Sequence, residues 1–416
     1  MTMILPSVEK RAVYILFGVM LVIVSGYGMV MPILPFYAQS MGATPTQLGL
    51  LFASYPLMQF LFSQIWGRYS DQVGRRPMIL YGLLGFGLSF TLLGLGKVLW
   101  VLFVARILGG ILSSAAIPAS YAYVADITNP EGRGRGMSLM SASSMLGIFI
   151  GPAFGGFLGD IKLNLPFFAA ALIAIAFSVV TFFLLPESLT LSSHENIRGK
   201  KSEKMDGLNL LGIKNLFGPF GIILLLSLLI AFASGNLEST LGLMVEESLG
   251  FGAKEVGYIF TVAGLSMVIT QGFITGPLID KFGEMPFIFG GLLASIIGYF
   301  LLPFASSLLD LLLIMGIMSI FTSGMRPAIV TLLSRSASES EQGSMLGENT
   351  RFMSLGRVIG PVTGGALFAK LGYQSPFLFA SSICFCSLLL SYAIFKKRRF
   401  LKSNKYKLLV KIIPSK

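Results

Sequence analysis

The sequence contains one glycine- and proline-rich motif twice, and this duplication constrains the fold more than any other feature. Residues 147–156 read GIFIGPAFGG, and residues 356–365 read GRVIGPVTGG, 209 residues later. A second segment, DQVG at 71–74, returns at the same spacing as DKFG at 280–283. Because the chain has 416 residues, a repeat of 209 predicts two related halves that follow each other along the chain.

Composition indicates that both halves lie in a membrane. Apolar residues make up 54% of the chain and charged residues 12%, whereas soluble domains carry about 25% charged residues. Apolar runs long enough to cross a bilayer, about 20 residues each, recur along the chain. The twelve predicted spans are 12–37, 46–66, 77–96, 99–124, 136–159, 166–186, 217–241, 254–277, 285–304, 308–333, 344–369 and 374–395. We therefore predict an all-α integral membrane protein in which twelve transmembrane helices form two pseudo-symmetric six-helix bundles.

The only long polar segment of the sequence separates the two bundles. We predict an N-terminal bundle over residues 1–186, a cytosolic linker over 187–216, a C-terminal bundle over 217–395 and a basic cytosolic tail over 396–416. The linker is rich in Ser, Glu, Lys and Arg, a composition typical of mobile connections.

The distribution of basic residues predicts the orientation in the membrane. With both termini in the cytoplasm, 23 of the 31 Lys and Arg residues lie on the cytoplasmic side and four on the outer side. Such a bias is the positive-inside signal, and it predicts a multi-pass protein of the inner cell membrane. The basic tail is expected to contact anionic lipid head groups. Because most of the positive charge is spread over short loops, no nucleic-acid partner is expected.

The sequence offers no pattern for metal, cofactor or enzyme chemistry. Cys384 and Cys386 have no partner elsewhere, and the single histidine, His194, lies in the polar linker. No HExxH, P-loop or Cys/His cluster is present. We therefore expect no metal and no cofactor, and we expect a monomer. A membrane enzyme would need a convergent catalytic set, and a receptor would be expected to have a longer cytosolic domain.

The loop between spans 2 and 3 contains the first motif with a recognisable pattern. Gly67, Asp71, Gly74 and Arg75 stand in the order G-x-x-x-D-x-x-G-R. This loop resembles the signature of the major facilitator superfamily, whose members are twelve-span transporters, and the resemblance extends over about residues 10–395.

The resemblance implies that this loop belongs to a gate. In the family, the aspartate caps a helix of the other half, which places Asp71 near residues 343–347 at the start of span 11. It also implies that Arg75 pairs with Asp126 at the end of span 4. The copy in the second half has Glu284 where a basic residue is expected, so we expect a weaker latch there.

The duplicated glycine motif also predicts the direction of transport, through its resemblance to a motif of exporters. Glycines four residues apart share one helix face and permit close packing, while the proline disturbs the helix. The copy in span 5 resembles the motif of exporters in this superfamily that exchange substrate for protons, and the copy in span 11 resembles the twelve-span drug/proton antiporters. The gating residues predicted from the two copies are Gly151, Pro152, Gly155, Gly156, Gly360 and Pro361.

Charged residues inside spans mark the candidate functional site, because they are costly in a membrane. Arg106 resembles the span-4 arginine for which the family proposes a role in proton transfer. Glu238 and Arg326 resemble a cavity acid and arginine of small multidrug exporters, in which an extra Asp stands where this chain has Ser323. Glu238 is the best candidate for a proton carrier, because an apolar cavity favours the neutral form of a carboxyl group. A solvated residue at the rim of span 7 is the alternative.

Three further charges lie in span 11. Glu348 and Arg351 are three residues apart and are expected to pair, and Arg357 lies near the midplane. The proton-coupling set that we predict is Glu238, Arg106 and Glu348. The predicted substrate cavity contains Arg326, Arg357, Ser323, Tyr27, Met31, Tyr55, Gln59 and Phe232. Its surplus of positive charge favours neutral, zwitterionic or anionic amphiphiles over monocations.

The function expected from these features is proton-coupled efflux of small amphiphilic compounds by alternating access. A dedicated exporter of a metabolite or siderophore is the alternative within the same superfamily. Uptake by symport is a third possibility, which the span-5 motif disfavours. The expected partners are therefore a small-molecule substrate, protons and the lipid bilayer.

Overall fold

The computed structural model describes residues 7–188, 220–336 and 342–410 and contains twelve helical spans long and apolar enough to cross a membrane. The predicted number of spans and the all-α fold class are thereby confirmed. In chain order, spans 1 to 12 are formed by Ser7–Gln39, Pro45–Val73, Arg75–Leu95, Leu99–Ser113 with Ala116–Ile127, Pro130–Ile161, Leu165–Leu184, Gly221–Leu249, Ala253–Ile269 with Gly276–Phe282, Met285–Leu301, Leu308–Thr322 with Met325–Ser336, Gln342–Leu371 and Ser375–Val410. The predicted linker lies outside the described residues, apart from its first two.

Local sequence signals explain several helix boundaries. Thr44 forms a capping box with Gln47 at the start of span 2, and this arrangement satisfies backbone N–H groups that have no partner within the helix. Ser307 and Asp310 do the same at the start of span 10. Gly74 separates spans 2 and 3 at a φ of 115°, in the region that favours glycine.

The two halves share irregularities as well as helices. Span 4 is interrupted at residues 114–115, and span 10 is interrupted at 323–324, 209 residues later. The second half differs in span 8, where a π-helical turn, Thr270–Thr275, joins two α-helical segments. Such a turn inserts an extra residue into the helix and is frequent at functional sites.

Within each half, the duplicated glycines pack one span closely against another. A Cβ on Gly151 would lie 2.9 Å from the Cα of Gly28 in span 1, and Pro152 Cδ would lie 2.9 Å from a Cβ on Gly28. Equivalent contacts join spans 11 and 7, where Pro361 Cδ would lie 3.0 Å from a Cβ on Gly235. The duplication in the sequence therefore reflects a repeated helix pair, 1 with 5 and 7 with 11.

The last glycine of each motif contacts the opposite half. A Cβ on Gly156 would lie 2.8 Å from the Cα of Gly257 in span 8, and one on Gly365 would lie 3.2 Å from the Cα of Gly49 in span 2. Gly155, by contrast, packs on Met29 of its own half. Each motif thus ends in two adjacent glycines, 155–156 and 364–365. The first of each two packs within its own half, and the second packs against the other half.

The halves are closed at one face and separated at the other. The contacts of Gly156 and Gly365 lie toward the face opposite the chain termini. Near the termini, the same four spans carry glycines whose added Cβ would meet nothing within 4 Å, namely Gly67, Gly134, Gly272, Gly276 and Gly347. Because facing helices leave open space around these glycines, the structure is open toward the face that carries the termini, which we call the terminal face.

Candidate functional site

A hydrogen bond between the two halves marks the centre of the candidate site. The hydroxyl group of Tyr27 in span 1 donates to Oε2 of Glu238 in span 7 over 3.1 Å. Glu238 also lines an internal cavity. The alternative of a solvated rim residue therefore does not describe its place in this structure, since its carboxyl group lies between the halves.

Arg106 lies beside this hydrogen bond, in a cluster of aromatic rings. Its guanidinium carbon is 4.8 Å from the centre of the Tyr55 ring, and Tyr55 lies 5.8 Å from the Tyr27 ring. The side chain is only 2% exposed, and Nη2 donates to the carbonyl oxygen of Phe52 over 3.4 Å. Tyr55 is held in turn by a 2.7 Å hydrogen bond with Ser113.

This cluster supplies a partner for Arg106 that span 4 itself lacks. The nearest acid in span 4 is Asp126, at the far end of that span, whereas Glu238 of the other half lies within electrostatic range of Arg106. Arginine stays protonated, so it can only stabilise the charged form of that carboxyl group. Two of the three predicted proton-coupling residues, Arg106 and Glu238, are thus brought together by tertiary structure.

The cavity next to Glu238 has a volume of about 200 Å³ and lies mostly in the second half. Five methionines line it, Met31, Met267, Met315, Met318 and Met325. Flexible thioether side chains adapt to ligands of different shapes. Ser234, Ser295, Tyr299, Ser319 and Thr322 add hydroxyl groups. The cavity therefore combines an adaptable apolar wall with few polar positions, a composition suited to small organic ligands.

Other residues predicted for the cavity lie elsewhere. Phe232 packs edge-on against Phe379 of span 12, with 6.0 Å between ring centres. The hydroxyl group of Ser323 donates to the carbonyl oxygen of Ile320 in its own span over 2.8 Å. Gln59 is half-buried on span 2. None of these three is among the described residues that line the cavity, although Met31 is.

Arg326 and Arg357 lie along the opening between the halves. Arg326 directly follows the cavity residue Met325 and is exposed, while Arg357 is half-buried. Arg357 lies within electrostatic range of Glu238 and Tyr27. Arg326 lies within electrostatic range of Arg357 and of Tyr121 in the first half.

Glu348 and Arg351 form the expected pair, and the structure adds a third residue. Arg351 Nη1 lies 2.6 Å from Glu348 Oε1, and its Nη2 donates to Gln64 Oε1 of span 2 over 3.3 Å. The second oxygen of Glu348 is buried and has no hydrogen-bond partner among the described residues. This group joins the halves between the cavity and the terminal face, apart from the Glu238 cluster.

The loop between spans 2 and 3 is organised around Arg75. Its guanidinium group lies 2.5 Å from Asp71, 3.0 Å from Asp126 and 2.7 Å from the hydroxyl group of Ser70. The side chain of Asp71 is 40% exposed. In this open conformation Asp71 forms an ion pair with Arg75, so its cap on span 11 stays a prediction.

The start of the predicted linker is bound to this loop, which sequence reasoning missed. Glu187 accepts hydrogen bonds from the backbone N–H groups of Arg75 and Arg76, over 2.9 and 3.2 Å. A carboxylate at a helix N-terminus is stabilising. The hydroxyl group of Ser188 donates to Asp126. The hydroxyl group of Tyr123 donates to the carbonyl oxygen of Pro186. Span 6 is therefore tied to spans 3 and 4 before the linker leaves the bundle.

The second half contains the same pair with reversed polarity, and the expectation of a weaker latch there stays a prediction. Glu284 stands 209 residues after Arg75, and Arg335 stands 209 residues after Asp126. Arg335 Nη1 lies 2.8 Å from Glu284 Oε1. The ion pair was therefore kept while its two charges exchanged places. Adding the repeat offset of 209 residues to Asp126 would have identified Arg335 from the sequence alone.

Comparisons with known proteins agree with this geometry. The family model of the Major Facilitator Superfamily matches residues 16–235 and 223–408. The chain is 34% identical over 357 residues to Multidrug resistance protein 1 of Bacillus subtilis (strain 168), covering 86% of this chain and 89% of the relative. It is 32% identical over 369 residues to Tetracycline resistance protein, class C, of Escherichia coli, covering 87% and 90%.

A solved structure has the same fold. It is a bacterial homologue of the human lysosomal transporter Spinster, in an inward-facing and occupied conformation. Its TM-score to this chain is 0.76 at 15% identity, over 95% of this chain and 98% of that one.

Proposed function

This chain belongs to the Major Facilitator Superfamily, and we propose that it exports small amphiphilic compounds, including antibiotics, in exchange for protons. It is a multi-pass membrane transporter rather than an enzyme. The proposal adds three elements, which are the substrate class, the coupling to protons, and alternating access with the terminal face in the cytoplasm of the inner membrane.

The observation that supports coupling is the Tyr27–Glu238 hydrogen bond between the halves, next to the methionine-lined cavity. A carboxyl group in apolar surroundings favours its neutral form, and nearby Arg106 and Arg357 favour its charged form. Opposing influences of this kind let a small change in access or in ligand binding move the proton. Glu238 would release its proton when the cavity opens to the cytoplasm and a substrate binds, and would regain one from outside.

The support for alternating access is the distribution of glycines at the interface between the halves. Close contacts at one face and open space at the other describe one of two states related by rocking. Because most Lys and Arg residues lie on the terminal side, that side is assigned to the cytoplasm. The present conformation would then be the one that collects substrate from the cell.

The drug class rests on the relatives named for multidrug and tetracycline resistance and on the five methionines of the cavity. A dedicated metabolite exporter would be expected to have more fixed hydrogen-bonding groups around its substrate.

The test is substrate uptake into everted membrane vesicles with an acidic interior, over a panel of dyes, tetracyclines and quinolones. We expect uptake that collapses with the pH gradient, and proton release when substrate is added. Glu238→Gln is expected to abolish gradient-driven uptake while substrate binding persists. Glu247→Gln, at an exposed position of the same span, is the control. Full gradient-driven uptake by Glu238→Gln would refute coupling through this residue.

A further inference from the structure

The cavity adjoins one of the two lines of contact between the halves. These lines, which we call seams, run between spans 5 and 8 and between spans 2 and 11. From the first half, the described residues that line the cavity are Met31 of span 1 and Ile148 and Pro152 of span 5. None of the described lining residues belongs to span 2 or span 11. The cavity therefore lies beside the seam of spans 5 and 8.

The two seams differ in how a glutamine amide is bound. At the seam of spans 2 and 11, Gln64 accepts a hydrogen bond from Arg351 over 3.3 Å. Gln271 of span 8 lies at a similar depth, 18 residues after the start of its span against 19 for Gln64. Its Oε1 is buried and has no hydrogen-bond partner in the described part of the chain. Because a buried acceptor without a donor costs free energy, this oxygen favours a donor that comes from outside the protein.

An extra residue in span 8 sets the local conformation at Gln271. Span 8 starts at Ala253, 208 residues after span 2 starts at Pro45, whereas Gly67 and Gly276 are 209 residues apart. Span 8 thus has one more residue between these points than span 2 has. The π-helical turn Thr270–Thr275 accommodates it, whereas span 2 is α-helical throughout. The first half therefore has no equivalent of the turn that contains Gln271.

Gln271 continues the face of span 8 that lines the cavity. It stands four residues after Met267 and seven after Gly264, which both line the cavity, and these spacings share one helix face. At 1.5 Å per residue, Gln271 lies about 6 Å beyond Met267 toward the terminal face. A Cβ on the neighbouring Gly272 would meet nothing within 4 Å. Gln271 therefore stands where the cavity meets the opening between the halves.

The polar groups inside the cavity are mostly acceptors as well. Three of its five hydroxyl groups, those of Ser234, Ser295 and Thr322, donate to carbonyl oxygens of their own helices over 3.1, 2.8 and 3.5 Å. A hydroxyl group that donates in this way keeps acceptor lone pairs, and the other two hydroxyl groups can donate or accept. Glu238 accepts the hydrogen bond of Tyr27. Such a lining favours ligands that bring their own donors.

Resting on the proposed export, we propose that Gln271 is a specificity-determining residue at the end of the cavity, and that the preferred substrates are amphiphiles with an N–H or O–H donor. The donor binds Oε1 of Gln271 at the seam of spans 5 and 8, and the apolar body of the ligand contacts the methionines of the cavity. An analogue without the donor leaves the amide oxygen buried and unpaired, and sites that hydrogen-bond their ligand discriminate strongly against such analogues.

The test measures the binding of two dyes that differ only in their donors. Rhodamine 123 carries N–H groups on its ring system, and tetramethylrhodamine methyl ester is the same monocation with those hydrogens replaced by methyl groups. The Kd of each dye is measured by fluorescence polarisation with purified protein in nanodiscs, after subtraction of binding to empty nanodiscs. The ratio of the two Kd values is then compared between variants, so that the greater hydrophobicity of the methylated dye cancels.

Gln271→Met removes the acceptor and keeps the length of the side chain. It should lower the preference for rhodamine 123 about fivefold, the effect of one neutral hydrogen bond. Gln271→Leu is a second variant without the acceptor and should act in the same way, whereas Gln271→Glu keeps an acceptor and should keep the preference. Retained binding of tetramethylrhodamine methyl ester shows that these variants fold.

The matched control is Gln64→Met, which removes the amide at a similar depth of the other seam and should leave the preference unchanged. An unchanged preference in both Gln271→Met and Gln271→Leu would overturn this inference, and so would an equal fall in Gln64→Met. Absence of gradient-driven uptake over the wider panel, with the binding preference intact, would instead overturn the proposed export.

Discussion

Arg106 in the first half and Met315 in the second stand 209 residues apart, at equivalent positions of spans 4 and 10. Arg106 is buried on an aromatic ring, whereas Met315 lines the cavity. The two halves thus share their packing but not their chemistry. The first half contributes Arg106, Tyr27 and Tyr55, and the second contributes Glu238 and most of the cavity. The close glycine contacts recur in both halves, whereas the residues at equivalent positions near the cavity differ.

The largest effect on uptake is expected when Arg106 is replaced by the residue at the equivalent position of the second half. Arg106→Met gives the first half the residue of the second and eliminates the charge near Glu238. A desolvated cation–π contact is worth about 2 kcal/mol, and each 1.4 kcal/mol is tenfold, so uptake in the vesicle assay should fall at least ~30-fold. Met315→Leu, which preserves an apolar wall, should stay within about threefold, because volume-conserving swaps are tolerated. Equal losses in both variants would show that the halves do not divide the chemistry.

The next effect compares the two ion-pair loops. Arg75 is 9% exposed and touches two acids, whereas Arg335 is 55% exposed and its described ion pair is with Glu284 alone. Arg75→Ala should destabilise by about 3 kcal/mol, as expected for a broken buried pair. Arg335→Ala should cost about 1 kcal/mol, because one partner is solvated. Thermal unfolding in detergent would rank them, and a larger loss for Arg335→Ala would contradict the comparison.

The reversed order of charges in the Glu284–Arg335 pair can be tested directly. Glu284→Arg places a guanidinium group against Arg335, so the single variant should lower the Tm. The double variant Glu284→Arg with Arg335→Glu restores the pair in the polarity of the first half. We expect it to recover about 0.5–3 kcal/mol of the loss, the range measured for interacting neighbours. No recovery in the double variant would mean that the surroundings, rather than the pair, require the acid at 284.

The smallest effect concerns the two faces of the interface. Gly156→Ala and Gly365→Ala place a Cβ against backbone of the other half, whereas Gly67→Ala and Gly347→Ala place it in open space. The first two should disfavour the present conformation and the last two the opposite one, each by about 1 kcal/mol, the scale of modest overpacking. Spin labels at positions 68 and 281, with both cysteines replaced, would report this as opposite shifts in distance distribution. Shifts of the same sign in all four variants would contradict rigid rocking.

The spans and the duplication followed directly from the sequence, because hydrophobic length and repeated glycine spacing are local properties. The glycine spacing predicted close packing, but the partners, span 1 for span 5 and span 7 for span 11, came only from the structure. The partner of Arg106 could not be predicted in this way, since Glu238 comes from another helix. Of the predicted cavity residues, Met31 lines the cavity, but Phe232 faces Phe379. Helix periodicity cannot distinguish a face toward a cavity from one toward another helix or toward lipid.

The sequence by itself determined a membrane protein of twelve spans in two related halves, because burial of apolar length in a bilayer depends only on composition along the chain. Tertiary structure alone decided that Tyr27 meets a carboxyl group 211 residues away, that the cavity lies mostly in the second half, and that the halves are separated at the terminal face. Those features depend on how two packed bundles are placed against each other, and that placement is set by the sum of many contacts between distant residues.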